Sequence, residues 1–408
     1  MIASSENGAA GIRLIELRGG LGAIPGVRLA GVHAGFKKRK PDLAVLVFDK
    51  PHVAASCITT NEIKAAPVVV SEAHLAESGE RIRAVVCNSG CANACTGERG
   101  DRDARATARQ AATLLDIDQS QVVIASTGVI GVPLQMDRMA KGLERCVKDL
   151  EIGNEASYDF AEAIMTTDNE PKLAAYGFYD GGTRYEVGGI AKGSGMISPN
   201  MATMLAFVAT SAPMSRGALQ EALREAVDGS FNMISVDGDM STNDSIYAFA
   251  PAGPGEAPPG FLEALRAVTH DLAIMMVRDG EGATKVLKID VTGARDTAQA
   301  RAVARKIVNS SLVKTALHGE DPNWGRIIAA AGAAQTKLDP QSWSLYLNDH
   351  LWVERGAIEV LSEAEGHREL ENTNVAVRLE LGIGDARATA WGCDLSRDYV
   401  RINAHYRT

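Results

Sequence analysis

The chain has 408 residues, 46% of them hydrophobic and 23% charged, an average balance for a globular protein that excludes a disordered or fibrous chain. Its 42 Lys plus Arg stand against 51 Asp plus Glu, a net charge of −9, so the overall field repels nucleic-acid phosphates and anionic membranes. The length exceeds one ordinary hydrophobic core and predicts two or three domains or one large α/β unit.

The opening stretch MIASSENGAAGIRLIEL lacks the basic and then apolar pattern of a secretory signal. No apolar run reaches the roughly 18 residues that cross a bilayer. A cytoplasmic chain is therefore expected, with no membrane or nucleic-acid partner and with its six cysteines as thiols. Apolar and β-branched runs predict strands at Leu43 to Phe48, Ala84 to Cys87 and Val122 to Ala125. Between the second and third lies CNSGCANACTG, whose evenly spaced Cys87, Cys91 and Cys95 are read as structural, because a turn signal interrupts them and no paired histidines follow. The run IASTGVIG (Ile124 to Gly131) predicts a strand followed directly by a Thr-Gly turn. Further on, PAGPGEAPPG (Pro251 to Gly260) predicts a surface loop. From Phe261, residues Leu265, Val268, Leu272, Met275 and Met276 recur at helical steps up to a stop at Asp279-Gly280. A strand follows at Val286 to Val291, then a helix from Ala298 through Ile307 behind the N-cap candidate Asp296. Strands alternating with helices in both halves predict an α/β architecture.

The chemistry centres on IAKGSGMISPNMATMLAFV, residues 190–208, where a glycine-rich polar stretch runs into an Ala-Thr pair and then an apolar strand. If the bond before Thr203 were cut, Thr203 would carry its own α-amine, a base with an unperturbed pKa of ~7.7–8.0, beside its hydroxyl nucleophile. The cut can be self-made, by attack of the Thr203 hydroxyl on the Ala202 carbonyl, an acyl shift from nitrogen to oxygen, and ester hydrolysis. Taken alone, the pair is simply the ordinary start of a strand, and only other motifs lift it above that reading. A Thr-Gly pair after a strand, as at Thr127 and Gly128, could aim a backbone N–H and a hydroxyl at an oxyanion. Rival motifs fail: DGDMSTND places Thr242 and Ala248 where a calcium loop needs glycine and glutamate, and GGIAKGSG inverts the phosphate-loop order. The eight histidines show no metal-site spacing, and His318 has no assignable task.

Together, KGSGMISPNMATMLAF, STGVIG, MTTDNEPK, VDGDMSTND, RDGEGATK, DPNWGRI and the terminal INAHYRT resemble the ornithine acetyltransferase family, also called bifunctional glutamate N-acetyltransferase, of arginine biosynthesis. The match runs from NSGCANACTG to the last residue, with modest departures at Cys91, Asn169 and Ser198. The resemblance implies a layered α/β sandwich of the family's own type, built from two chains made by self-cleavage: an α chain, 1–202, and a β chain, 203–408, associated as α2β2. It implies Thr203 as nucleophile, Thr127 and Gly128 as oxyanion hole, and Thr166, Lys192, Glu281, Asn403 and Thr408 as the shell holding the amino-acid substrate. From the residues alone Lys192 reads equally as surface or substrate-facing, Glu281 as a turn cap, and Asn403 and Thr408 as a tail that must be tied down. The implied reaction moves acetyl from N-acetylornithine to glutamate through an acetyl-threonine, releasing ornithine, with no metal or prosthetic group. Acetyl-coenzyme A is a second donor in the bifunctional members only. Two other readings stand beside it: a related N-terminal-nucleophile aminopeptidase or amidase, and a non-catalytic small-molecule binder whose chain stays intact.

Overall fold

The computed structural model describes residues 12–198, 204–356 and 358–405. Among these, two sheets organise the chain. The first has nine strands: β1 (Ile15–Leu17), β2 (Val27–Val32), β3 (Leu43–Ile58), β4 (Ile82–Cys91), β5 (Val122–Val129), β6 (Lys172–Asp180), β7 (Thr183–Lys192), β8 (Leu205–Thr210) and, later in the chain, β10 (Ser245–Pro251). They run in the order β1-β6-β7-β8-β10-β3-β4-β5, with β2 also paired to β3. The second contains β9 (Ile234–Ser235), β11 (Val286–Ala294), β12 (Ser344–Leu347), β13 (His350–Glu354), β14 (Ile358–Glu359), β15 (Asn374–Glu380) and β16 (Ala386–Cys393). Its order is β14-β13-β12-β15-β11-β16-β9.

Strand periodicity explains the layering of the first sheet. Alternate residues of β8, Leu205, Phe207 and Ala209, enter one core with Tyr247 and Phe249 of β10. That face is closed by α4 (Asn154–Ile164), whose Phe160 sets its ring edge-on to Phe207 at 5.6 Å. Intervening residues Ala206, Val208, Ile246 and Ala248 enter a core on the opposite face, against α5 (Arg216–Gly229) and α6 (Phe261–Arg278). Helices α1 (Ala66–Ser78), α2 (Gly97–Leu115) and α3 (Met136–Lys148) cover β2 to β5. The three apolar runs read as strands in this sheet are buried on both faces, which is why they are continuous rather than alternating. The second sheet is half-covered. Leu287, Ile289 and Val291 pack under α7 (Thr297–Val308), whereas Lys288 and Asp290 pair on the open side at 2.8 Å.

The predicted elements stand, mostly lengthened. The strand expected at Leu43 to Phe48 continues to Ile58; α6 and α7 lie where their patterns placed them, and the Asp296 side chain caps α7 by accepting the Gln299 N–H at 2.8 Å. Met275 is half-buried while Val277 enters the core, so the stripe is rotated slightly from the one read in sequence. One expectation is corrected. Thr127 and Gly128 do not follow the strand but belong to β5, and the turn falls at Ile130-Gly131.

Candidate active site

At the end of β5, the parallel ladder with β4 loses its even register: Gly90 faces Gly128, and Cys91 faces both Thr127 and Val129. Gly128 adopts φ +123°, and a Cβ there would stand 2.5 Å from the Gly90 carbonyl carbon. Only glycine fits so close a backbone approach at positive φ. The irregularity turns Thr127 and Gly128 to line a cavity of about 210 Å³, whose walls also include Thr166, Lys192, Asp237, Glu281 and Asn403.

Lys192 ends β7 and is buried. Its ammonium donates to Thr166 Oγ1 at 2.9 Å and to Thr127 Oγ1 at 3.4 Å. Behind it lies Asp168, fully enclosed, which accepts the Thr166 N–H at 3.0 Å, the Gly193 N–H at 2.7 Å and the Lys172 ammonium at 2.8 Å. Lys172 is shared with Asp279 at 2.5 Å. Burial opposes ionisation of Asp168, but the Lys192 and Lys172 charges and these hydrogen bonds outweigh it and hold the carboxyl well below the usual range. A buried carboxylate thus keeps the two residues of the wall in place.

Glu281 follows α6. Its N–H donates to Ser194 O at 2.8 Å, and its carboxylate lies against Gly195, where a Cβ would stand 2.5 Å from the carboxyl carbon. The turn-capping role read for Glu281 from the residues alone does not hold, since its carboxylate accepts the Asn403 amide at 2.7 Å instead. Asn403 belongs to α11 (Arg397–His405). That helix is tied down by Ser396, whose hydroxyl donates to Gly282 O at 2.6 Å and accepts the Asp398 and Tyr399 N–H groups. Tyr399 donates to Asp237 at 3.2 Å. His318, without a task in the sequence, bonds Asp394 at 2.7 Å. Asp394 also accepts Thr284 N, Thr284 Oγ1 and Lys285 N, bracing the loop that carries Glu281. Trp324 and Arg326 stay outside the cavity, bonding Glu359 and the Leu312 carbonyl.

Thr127, Gly128, Thr166, Lys192, Glu281 and Asn403, drawn from five separate stretches of the chain, therefore line one space. Ala202, Thr203 and Thr408 lie outside the described residues. Sequence reasoning missed Asp168, Asp237, Asn243, which lines the cavity and donates to Ala92 O at 2.7 Å and Ser126 O at 2.9 Å, and Tyr399. The first three sit inside MTTDNEPK and VDGDMSTND, where a polar cluster between apolar runs was a usable signal; Tyr399 carries none. Among the described residues, Glu320, His367 and Glu371 have donor atoms spaced for a metal, but Glu320 is already paired with Lys285 at 2.9 Å and none of the three lines this cavity.

A mixed α/β scaffold presents a partly open cavity with a buried cation, Lys192, and a buried carboxylate, Glu281, on its walls, the arrangement of an enzyme site for a small charged molecule. A model of the ArgJ family matches residues 28–408, and the chain belongs to that family. It is 48% identical over 403 residues to the arginine biosynthesis bifunctional protein ArgJ of Symbiobacterium thermophilum, covering 96% of this chain and 99% of that protein. The protein of the same name from Bacillus licheniformis is 42% identical over 398 residues, covering 96% and 97%. Among solved structures, ornithine acetyltransferase from Mycobacterium tuberculosis, complexed with ornithine, aligns at 41% identity and a TM-score of 0.43 over 46% of this chain and 98% of that one.

Proposed function

We propose that this chain is a glutamate N-acetyltransferase that cuts itself between Ala202 and Thr203 and then carries acetyl on Thr203 from N-acetylornithine to glutamate. The observation that carries the reading is the shared cavity: a carboxylate-seeking Lys192 and an amine-seeking Glu281 stand on its walls with the Thr127-Gly128 pair. Family membership supports the reaction class, and the relatives' names place them in arginine biosynthesis. Because those names also read bifunctional, we assign acetyl-coenzyme A as a second donor to glutamate.

In this reading the Thr203 amine takes the proton from its own hydroxyl as the oxygen attacks the acetyl carbonyl, and returns it to the departing ornithine amine. The Thr127 oxygen accepts from Lys192, so its own O–H is free to donate to the oxyanion beside the Gly128 N–H. Glutamate then repeats the steps in reverse. Ornithine and glutamate share an α-carboxylate and an α-amine, which is the common element Lys192, Thr166, Glu281 and Asn403 would grip, with Thr408 completing the shell. The cavity draws on residues from both sides of the cut, so the two products work as one unit, paired further as α2β2 in the cytoplasm.

The test follows acetyl from N-acetylornithine with and without glutamate. Acetylglutamate should form at the expense of the donor; free acetate released at an unchanged rate in both would reject transfer in favour of hydrolysis. A chain that remains intact on a denaturing gel would reject the nucleophile altogether.

A further inference from the structure

Resting on that reading, we infer that Asp244 is the acid of self-cleavage, delivering a proton to the Thr203 nitrogen as the Ala202–Thr203 bond breaks. The loop from Val236 to Ser245 grips the chain on both sides of residues 199–203. On the upstream side, Asp237 accepts the N–H groups of Met196 and Ile197 at 2.6 and 2.8 Å. Ile197 O in turn accepts from Val236, Asp237 and Gly238. On the downstream side, Asp244 Oδ1 accepts the Met204 N–H at 2.9 Å, and Ser245 N donates to Met204 O at 3.1 Å. The Met204 nitrogen is three covalent bonds along the chain from the Thr203 nitrogen, so the Asp244 carboxyl is anchored one residue downstream of the bond to be cut.

What separates Asp244 from a mere clamp is its second oxygen. The residue is fully buried, yet Oδ2 has no hydrogen-bond partner among the described residues. A buried carboxyl oxygen without a partner is costly and calls for an explanation in the group's chemistry. Burial holds this carboxyl well above the usual carboxylate range, against the pull of the Met204 and Ser241 N–H groups and the Lys192 charge. A carboxyl shifted in this direction keeps its proton to higher pH than an ordinary carboxylate does.

The proton balance closes without another reactant. The Thr203 oxygen forms its bond to the Ala202 carbonyl carbon, the C–N bond breaks, and the Asp244 proton passes to nitrogen to give the amine. The hydroxyl proton returns to the carboxylate, restoring the acid. Water then hydrolyses the ester, freeing the Ala202 carboxyl and the Thr203 hydroxyl.

The experiment follows conversion of the precursor to two fragments on denaturing gels, from its synthesis in cell-free translation, for the natural chain and for Asp244→Asn, Asp244→Ala and Thr203→Ala. Asparagine keeps an oxygen for the Met204 N–H and removes only the acid. D244N should cleave slower by on the order of 10²-fold or more, the usual range for a general acid, while melting cooperatively, and D244A should be as slow. D244N cleaving at the natural rate, with D244A slow, would reduce Asp244 to a clamp and overturn the inference while leaving the transferase reading intact. A natural chain that never gives two fragments would overturn both. If D244N does not fold, the natural precursor itself supplies the readout: cleavage must slow in D2O, and equal rates in H2O and D2O would reject proton delivery.

Discussion

Lys192 donates to Thr127 and Thr166 while Asp168 stands 3.9 Å behind it, so its charge is positioned before any substrate arrives. Replacing it by Met should raise KM for N-acetylornithine and glutamate about 10- to 100-fold, the loss of one charge-assisted hydrogen bond of roughly 1.5–3 kcal/mol. Steady-state kinetics with both substrates checks this. Thr127→Ala should act differently, lowering kcat by about 10²- to 10³-fold with little change in KM, because the oxyanion forms only on the way to the tetrahedral intermediate. An unchanged kcat would remove Thr127 from the mechanism. At this scale the residue types were legible: Lys192 and Thr166 lie in recognisable motifs. Their mutual bond was not, since 26 residues of chain separate them and nothing local encodes a contact between the start of β6's approach and the end of β7.

At the scale of elements, the strands and helices follow from their apolar patterns, yet the irregularity joining β4 to β5 does not. Gly90 and Gly128 looked like turn residues, and only the parallel pairing of two strands explains why both must be small. Gly128→Ala should therefore disturb the ladder end and abolish activity, with a lowered melting temperature as the check. Asp168 joins the approach to β6, the end of β7 and, through Lys172 and Asp279, the end of α6. Breaking such a buried network by Asp168→Asn strands its cations and should cost about 3–5 kcal/mol at neutral pH. The pH dependence has a definite sign. The folded-state pKa of Asp168 is depressed, so its contribution is fully present above the unfolded value of about 3.9 and fades as pH falls from there toward the lower folded value. Denaturant unfolding of the natural chain and D168N should differ by a constant amount from pH 7 down to about pH 5, and converge only at more acid pH.

For the whole molecule, the cut at residue 203 would fall between neighbours in one sheet. β7 pairs with β8 from Val187↔Thr210 to Lys192↔Leu205, and β10 pairs with β3 from Ser245↔Ile58 to Pro251↔His52. Two fragments woven together in this way should co-elute in native size-exclusion chromatography and separate only in denaturant; separation in native buffer would contradict the shared sheet. The tail behaves similarly, because α11 reaches the cavity through Ser396, Tyr399 and Asn403. By itself the sequence determined the α/β class, most element positions, the family and the identity of the cavity's principal residues, since propensity, periodicity and contiguous motifs are local properties of a chain. The tertiary structure alone decided that Thr127 and Gly128 end a strand, that Glu281 meets Asn403, and that Asp168, Asp237 and Asp244 hold the segments around the site. Those facts depend on long-range strand pairing and on charges buried together, and the energy of such contacts is set by neighbours that lie far apart along the chain.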